Sequence, residues 1–345
     1  MWPFSTKDQI GKMLHQYIER ESGRVLTERL YGNGAIKLLY SELREYAPAF
    51  FRALTCARAS RLIGFLNYEF FIGEKMFRHM DFLQSRGIDL QECVDAPENL
   101  DTAKKIFERK IRYWEYRPMP SNTDVILSPA DARMLVGSFS ESSHLFIKGK
   151  FFDYEEMLWT DKKTWLRAFE KGDFAIFRLT PEKYHYNHTP VAGKVIDFYQ
   201  LQGDYHSCNP NAVLSIATPY SKNRRVVTII DTDVEGGTGA GLVAMIEVVA
   251  MMIGDIVQCY SEEEYADPVP VGTGMCIKKG APKSRYRPGS STDVLIFQPG
   301  RVKFDYDIIL NMFHQDAESL YCKGFGMPLM ETEVKVRSAI GRAVR

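Results

Sequence analysis

Three short segments carry side chains whose types could do chemistry together: Ser128-Pro-Ala-Asp131, Tyr184-His185-Tyr-Asn-His188-Thr-Pro190 and Gly289-Ser290-Ser291-Thr292. A serine hydroxyl is unreactive near neutral pH until a base takes its proton, and the base works best when an acid orients it. Serine, histidine and aspartate are those three parts. Each segment also has a plain structural explanation when taken singly. Asp131 after Ser-Pro reads as a turn acid, a Tyr-His or Asn-His pair as a satisfied strand edge, and Gly-Ser-Ser-Thr as a linker-like string. The chemistry therefore depends on a fold that brings distant segments together.

The elements that must do so change character along the chain. Residues 1–117 read as a helical N-terminal extension, because Gln9–Glu21, Ala35–Glu45, Ala49–Phe71 and Leu100–Trp114 carry apolar residues at three- and four-residue spacing. Arg117-Pro-Met-Pro-Ser-Asn ends that pattern, since proline disfavours the helical conformation of the residue before it. Residues 118–345 then read as β-rich. Strand candidates are Thr123–Leu127, Arg133–Phe139, Ser143–Ile147, Phe174–Leu179, Gly193–Gln200, Val226–Asp231, Leu242–Val249, Asp255–Cys259 and Asp293–Phe297. One helix interrupts them, Tyr154 through Ala168, with Asp153 as its N-cap. The expected fold class is α+β, a β-rich core with a helical extension; the last thirty residues show no clear period.

Composition narrows the partners. Of 345 residues, 44 are Lys or Arg and 44 are Asp or Glu, so there is no global basic excess of the kind nucleic-acid binding requires. The six cysteines form neither a CxxC nor a Cys/His cluster, so no metal site is expected and reduced, packed thiols are. The first residues lack the pattern of a signal peptide, and no 18-residue uncharged run spans a membrane, which points to a cytoplasmic chain. Gly236-Gly-Thr-Gly-Ala-Gly241 lacks the Lys-Ser/Thr of a phosphate loop and reads as a turn before a strand. The acidic run from Tyr260 to Asp267 reads as a solvated turn, and His15, His79, His144, His206 and His314 as structural or exposed.

The three chemical segments occur in the order found in the phosphatidylserine decarboxylase family, and the chain resembles that family along most of residues 105–305. Phe107-Glu-Arg-Lys through Ser128-Pro-Ala-Asp131 is similar to the segment leading to the family's Ser-Pro-x-Asp-Gly motif. Phe146-Ile-Lys-Gly149 with Tyr154-Glu-Glu-Met-Leu158 resembles its lysine-glycine turn and the helix after it. Leu179-Thr-Pro-Glu-Lys-Tyr-His185-Tyr-Asn-His188-Thr-Pro-Val-Ala-Gly193 resembles its most distinctive stretch besides the cleavage site. Val249-Ala-Met-Met-Ile-Gly254, Lys279-Gly280 and Ser291-Thr292 through Phe297-Gln-Pro-Gly300 follow in family order.

The resemblance implies a chain that cuts itself and turns a serine into a covalent pyruvoyl group. The serine hydroxyl would attack the preceding carbonyl, with His188 as base and Asp131 orienting it, and elimination would leave a large β chain ending at residue 290 and a short α chain, 291–345. In turnover the pyruvoyl would form a Schiff base with a substrate amine and hold the electrons released as CO₂ leaves. His185 would assist that step or return the proton. Thr292 would support the developing oxyanion. Family resemblance also implies a homodimer of cut protomers.

Departures from the family pattern leave several points open. Ser290 stands between Gly289 and the Ser-Thr pair, so either Gly289–Ser290 or Ser290–Ser291 is the scissile bond; keeping strand alternation to Phe297 favours Ser291. Ala132 replaces the glycine after Asp131, and Tyr186-Asn187 replaces a basic-aromatic pair. The substrate is accordingly either the aminophospholipid phosphatidylserine, reached through peripheral membrane contact, or a free amino acid, for example an aromatic one. A non-enzymatic binding module is a third reading. Ala49–Phe71 would be the membrane-facing helix in the first case, or would pack on the core.

Overall fold

The structure, a computed structural model, describes residues 14–30, 38–40, 44–55, 88–147, 149–251, 255–289 and 291–345. In chain order the strands among these are β1 (Gln16–Glu19), β2 (Val25–Thr27), β3 (Val125–Leu127), β4 (Ala132–Ser138), β5 (Asp173–Leu179), β6 (Tyr186–His188), β7 (Gly193–Leu201) and β8 (Arg225–Asp231). They continue with β9 (Leu242–Val249), β10 (Ile256–Gln258), β11 (Cys276–Ile277), β12 (Pro282–Tyr286), β13 (Ser291–Phe297), β14 (Val302–Phe304), β15 (Glu331–Val334) and β16 (Ala339–Ala343). Helices are short and few beside them, which is the α+β, β-rich class expected.

Ten strands form one sheet in the order β11-β7-β8-β9-β13-β5-β4-β15-β1-β2. Strand β13 lies inside it, antiparallel to β5 from Ser291↔Leu179 to Phe297↔Asp173 and to β9 from Ser291↔Val249 to Phe297↔Val243. All seven residues of β13 are buried, so both faces of the strand are covered. Such a strand is normally aliphatic throughout, as Val294–Phe297 are. Ser291, Thr292 and Asp293 break that pattern at its first turn into the core.

The two faces have different covers. On one, a three-stranded sheet β10-β12-β6 packs through Lys283, Ser284 and Asn187 onto Glu247 of β9. On the other, helices Tyr154–Leu158, Pro219–Lys222 and Leu320–Phe325 close the core, with Phe151 in edge contact with Tyr321 and Arg225 bonded to the Met157 carbonyl at 3.0 Å. Beneath these helices lies a buried ion cluster. Arg178 reaches Glu331 (2.6 Å) and Glu28 (2.6 Å), Arg133 pairs with Glu28, and His15 Nε2 meets Glu331 at 2.8 Å. Burial pushes the Glu28 carboxyl up, but the Arg178 and Arg133 guanidiniums outweigh it and hold the carboxyl at about 2. His15, Glu28 and Glu331 lie close enough to share a cation, yet the two arginines already balance both carboxylates.

Several local expectations change. The helix expected over Gln9–Glu21 is instead strand at Gln16–Glu19, because β1 pairs in parallel with β15 and the ion cluster holds its start; neither partner is visible in local spacing. Leu100–Trp114 holds only the short helix Ala103–Phe107 and the start of Tyr113–Tyr116. Tyr154–Ala168 divides into Tyr154–Leu158 and Lys163–Ala168 where Trp159 takes a positive φ of 79°. Asp153 does cap the first of these, accepting the Glu156 N–H at 2.8 Å. Ser143–Ile147 is a serine-rich turn that touches the sheet through a single bridge, Ser138↔Phe146, since Ser143 Oγ takes the Leu145 N–H. The final residues, unassigned from sequence, add β15 and β16. Of Ala49–Phe71, residues through Thr55 are described and helical, with Phe51 buried against Tyr40 and His206; the rest lies outside the described residues. No helix among the described residues is long and apolar enough to cross a membrane.

Candidate active site

Ser291 opens β13, and its Oγ is buried with no hydrogen-bond partner among the described residues. The hydroxyl is therefore not held by another group, a condition it shares among the described residues with Thr228, Thr292, Thr332 and Tyr321. Gly289, two residues earlier, has a φ of 151°, a conformation that L side chains rarely adopt; this requires glycine on the approach to the strand. Ser290 lies outside the described residues. Strand alternation puts Thr292 on the face opposite Ser291, beside Arg178 in register, and its Oγ1 is also unpartnered. Thr292 thus points away from the serine it was expected to assist.

The two histidines sit in different surroundings. His185 Nδ1 donates to the Lys183 carbonyl at 2.8 Å and its ring stacks on Phe107 at 3.6 Å, while Nε2 is buried with no hydrogen-bond partner among the described residues. A carbonyl can only accept, so the proton is on Nδ1 and Nε2 presents a lone pair. His188 Nδ1 donates to the Gly280 carbonyl at 2.9 Å, and its Nε2 accepts the Tyr184 hydroxyl at 2.9 Å. Gly280 turns at a φ of 77°, where a Cβ would meet Met119 Sδ at 2.5 Å. Burial depresses both imidazoles to about 3, with Arg109 adding to the effect at His185. Both are neutral at pH 7, and burial makes each a weak base in this uncut state.

Asp131 has other partners than the one expected. Its carboxylate takes a two-pronged contact from Arg117, Nε at 3.1 Å and Nη2 at 2.8 Å, and the Val336 N–H at 2.8 Å. Burial raises the Asp131 carboxyl, and Arg117 more than reverses this, so it stays ionised. Hydrogen bonds from Asp131 to His188 and from Ser291 to His188 are absent among the described residues. The expected relay is replaced by Gly280 as the group that fixes the His188 tautomer, and Asp131 acts on His188 only through its charge.

A second polar group on the Ser291 face escaped the sequence reading. Asn187 points toward the large sheet while its neighbours Tyr186 and His188 point the other way, because side chains alternate along β6. Its Nδ2 lies 3.3 Å from Glu247 Oε1, which also accepts from Ser284. Lys283 Nζ binds Glu247 Oε2 at 2.7 Å and Gln258 Oε1 at 3.1 Å, and both charges are fully buried. Directly opposite Glu247 on β13 is Asp293, whose Oδ1 accepts the Tyr286 hydroxyl at 2.7 Å. Burial first, then the Glu247 charge, push the Asp293 carboxyl well above its usual range, so it keeps its proton. The available signal was an acid inside an otherwise apolar strand, once in β9 and once in β13.

A profile of the phosphatidylserine decarboxylase family matches residues 103–311, the span that holds Asp131, His185, His188, Glu247, Lys283 and Ser291. A phosphatidylserine decarboxylase proenzyme of Fusobacterium nucleatum is 30% identical over 308 residues, 89% of this chain and 95% of its own. One from Ruminiclostridium cellulolyticum is 32% identical, covering 80% of this chain and 82% of its own; one from Chlamydia trachomatis is 28% identical over 94% and 96%. Fold, site and matches define a decarboxylase, a carboxy-lyase. The chain belongs to the phosphatidylserine decarboxylase family.

Proposed function

We propose that this chain cuts itself before Ser291, converts Ser291 to a pyruvoyl group and decarboxylates phosphatidylserine to phosphatidylethanolamine. The observation that carries the reading is the orphaned, buried Ser291 hydroxyl at the first position of a strand, inside a 209-residue family match that begins at 103 and ends at 311. The residues around it suit the group: among the described residues the hydroxyl is unengaged and a neutral imidazole lone pair on His185 is free. When formed, the pyruvoyl supplies a carbonyl that binds the substrate amine and accepts electrons as CO₂ leaves.

The chain's own residues divide the remaining work. For cutting, the Ser291 proton must pass to a base, and His188 serves once it gives up the Tyr184 hydroxyl; Asp131 and Arg117 stay in place as a fixed charge pair beside it. For turnover, His185 Nε2 accepts a hydrogen bond from the substrate amine and orients it toward residue 291, while the proton the amine must lose goes to water. Substrate identity follows the names of the relatives, and a phospholipid substrate brings with it contact with a membrane surface from a cytoplasmic protein. A homodimer is part of the same family reading.

The test is CO₂ release from purified protein supplied with phosphatidylserine vesicles and, separately, with free amino acids. Release from vesicles alone supports the proposal. Release from a free amino acid alone moves the chain to the soluble alternative, and release from neither ends both. In the same assay His188→Ala stays uncut, whereas His185→Ala is cut and does not turn over.

A further inference from the structure

Decarboxylation consumes a proton: the bond to the carboxylate breaks, CO₂ departs, the electron pair stays on carbon, and that carbon must gain a hydrogen. His185 is poorly suited to supply it, because its Nδ1–H is held by the Lys183 carbonyl and its free nitrogen presents a lone pair. An acid is needed on the Ser291 face. Asp293 is two residues along β13, on the same face, about 6–7 Å from Ser291 along the strand.

We propose that Asp293 is the acid that protonates the substrate carbon from which CO₂ leaves, an assignment that rests on the pyruvoyl reading above. Its carboxyl is fully buried, Oδ1 is occupied by the Tyr286 hydroxyl, and Oδ2 has no partner among the described residues, so the acidic O–H is free to be given. Tyr286 also contacts the Thr292 carbonyl at 3.0 Å, which ties the carboxyl to the backbone one residue from Ser291. Charge counting explains why the proton is there at rest. Lys283 is a single buried cation facing two carboxyls, Glu247 and Asp293; it neutralises Glu247 at 2.7 Å, and the second carboxyl is then stable only as the acid.

After each turnover the Asp293 carboxylate regains its proton from water. Gln258, bonded to both Glu247 (3.1 Å) and Lys283 (3.1 Å), lines a cavity of about 720 Å³, which brings solvent up to the charge pair that lies beside Asp293. Asp293 is thus a catalytic residue, while Tyr286, Glu247 and Lys283 are positioning residues that keep it protonated and aimed.

Asp293→Asn keeps the acceptor for Tyr286 and the neutral charge but cannot give up a proton, which makes it the informative variant. It is expected to be cut normally and to lose about 10²-fold or more in turnover, the usual worth of a general acid. A second readout is specific to misplaced protonation. When the proton reaches the residue-291 carbon instead, hydrolysis by water leaves residue 291 as alanine and releases the substrate as an aldehyde. N-terminal sequencing reads that alanine and is blocked by pyruvoyl.

The experiment exposes wild-type and D293N protein to phosphatidylserine vesicles, and in a parallel arm to free amino acids, then sequences the small fragment. An excess of alanine ends in D293N is the expected result. A variant that stays uncut, or one that turns over as wild type with no excess alanine, overturns the proposal. Infrared spectra of uncut Ser291→Ala protein give a check independent of turnover: a protonated-carboxyl band at neutral pH that D293N removes is expected, and its absence also overturns the proposal. If the wild-type fragment itself is not blocked, the pyruvoyl reading has failed instead.

Discussion

The two faces of β13 solve the problem of buried charge in opposite ways. On the Thr292 side, Arg133 and Arg178 meet Glu28 and Glu331, two cations for two anions, and the cluster fastens the N-terminal strand to the last part of the chain. On the Ser291 side, Lys283 meets Glu247 and Asp293, one cation for two acids, and Ser291 Oγ, Asp293 Oδ2, His185 Nε2 and Asn187 Oδ1 have no partner among the described residues. Balanced charges of the first kind hold structure. Incomplete pairing of the second kind costs stability and is retained where groups must react.

The largest effect that separates the faces is Ser291→Ala. It should abolish cutting and turnover together, leaving one species of 39.6 kDa by intact mass, whereas Ser290→Ala should still be cut. Next, charge removal should be costlier on the balanced face. In the uncut S291A background, Arg178→Ala leaves buried Glu331 with His15 as its remaining partner and Glu28 with Arg133, and should destabilise by about 3–5 kcal/mol in denaturant titration. Lys283→Met strands only Glu247, and adding Glu247→Gln should recover most of the loss, because no net charge then remains buried.

Acidification probes the two groups in pH windows that overlap but begin about two pH units apart. His185 and His188 are depressed from 6.5 to about 3, so the unfolded chain binds their protons first and stability should fall as pH drops from about 6.5 toward 3. Glu28 is lowered from 4.5 to about 2, so its contribution is complete above about 4.5 and is lost as pH falls toward 2. His185→Asn should flatten the upper window and leave the lower one. The smallest predicted effect lies away from both faces: Asp153→Ala removes a helix cap and should cost about 1 kcal/mol with no change in cutting.

Legibility in the sequence followed the range of the interactions involved. Asp153 announced its helix, and β5, β7, β8, β9 and β13 were found within a residue or two, because an apolar run between turn residues is a local signal. Strands β6 and β12 were not, since Asn187, Lys283 and Ser284 are polar residues that face inward and converge on Glu247, a partner distant in sequence. The segment around Gln16–Glu19 was misjudged in part for the same reason: besides the neighbouring β2, it pairs with β15 more than three hundred residues away. Within the site, residue types and order were readable, but pairing was not. Nothing local tells Asp131 to choose Arg117 over His188, or Gly280 to offer its carbonyl.

The central claim is that Ser291 becomes the reactive group, and the small fragment of the natural protein tests it most directly. Its mass should equal residues 291–345 with a pyruvoyl first residue, and N-terminal sequencing should be blocked. A single uncut chain after native purification, or a fragment beginning with an unmodified serine, would contradict the account.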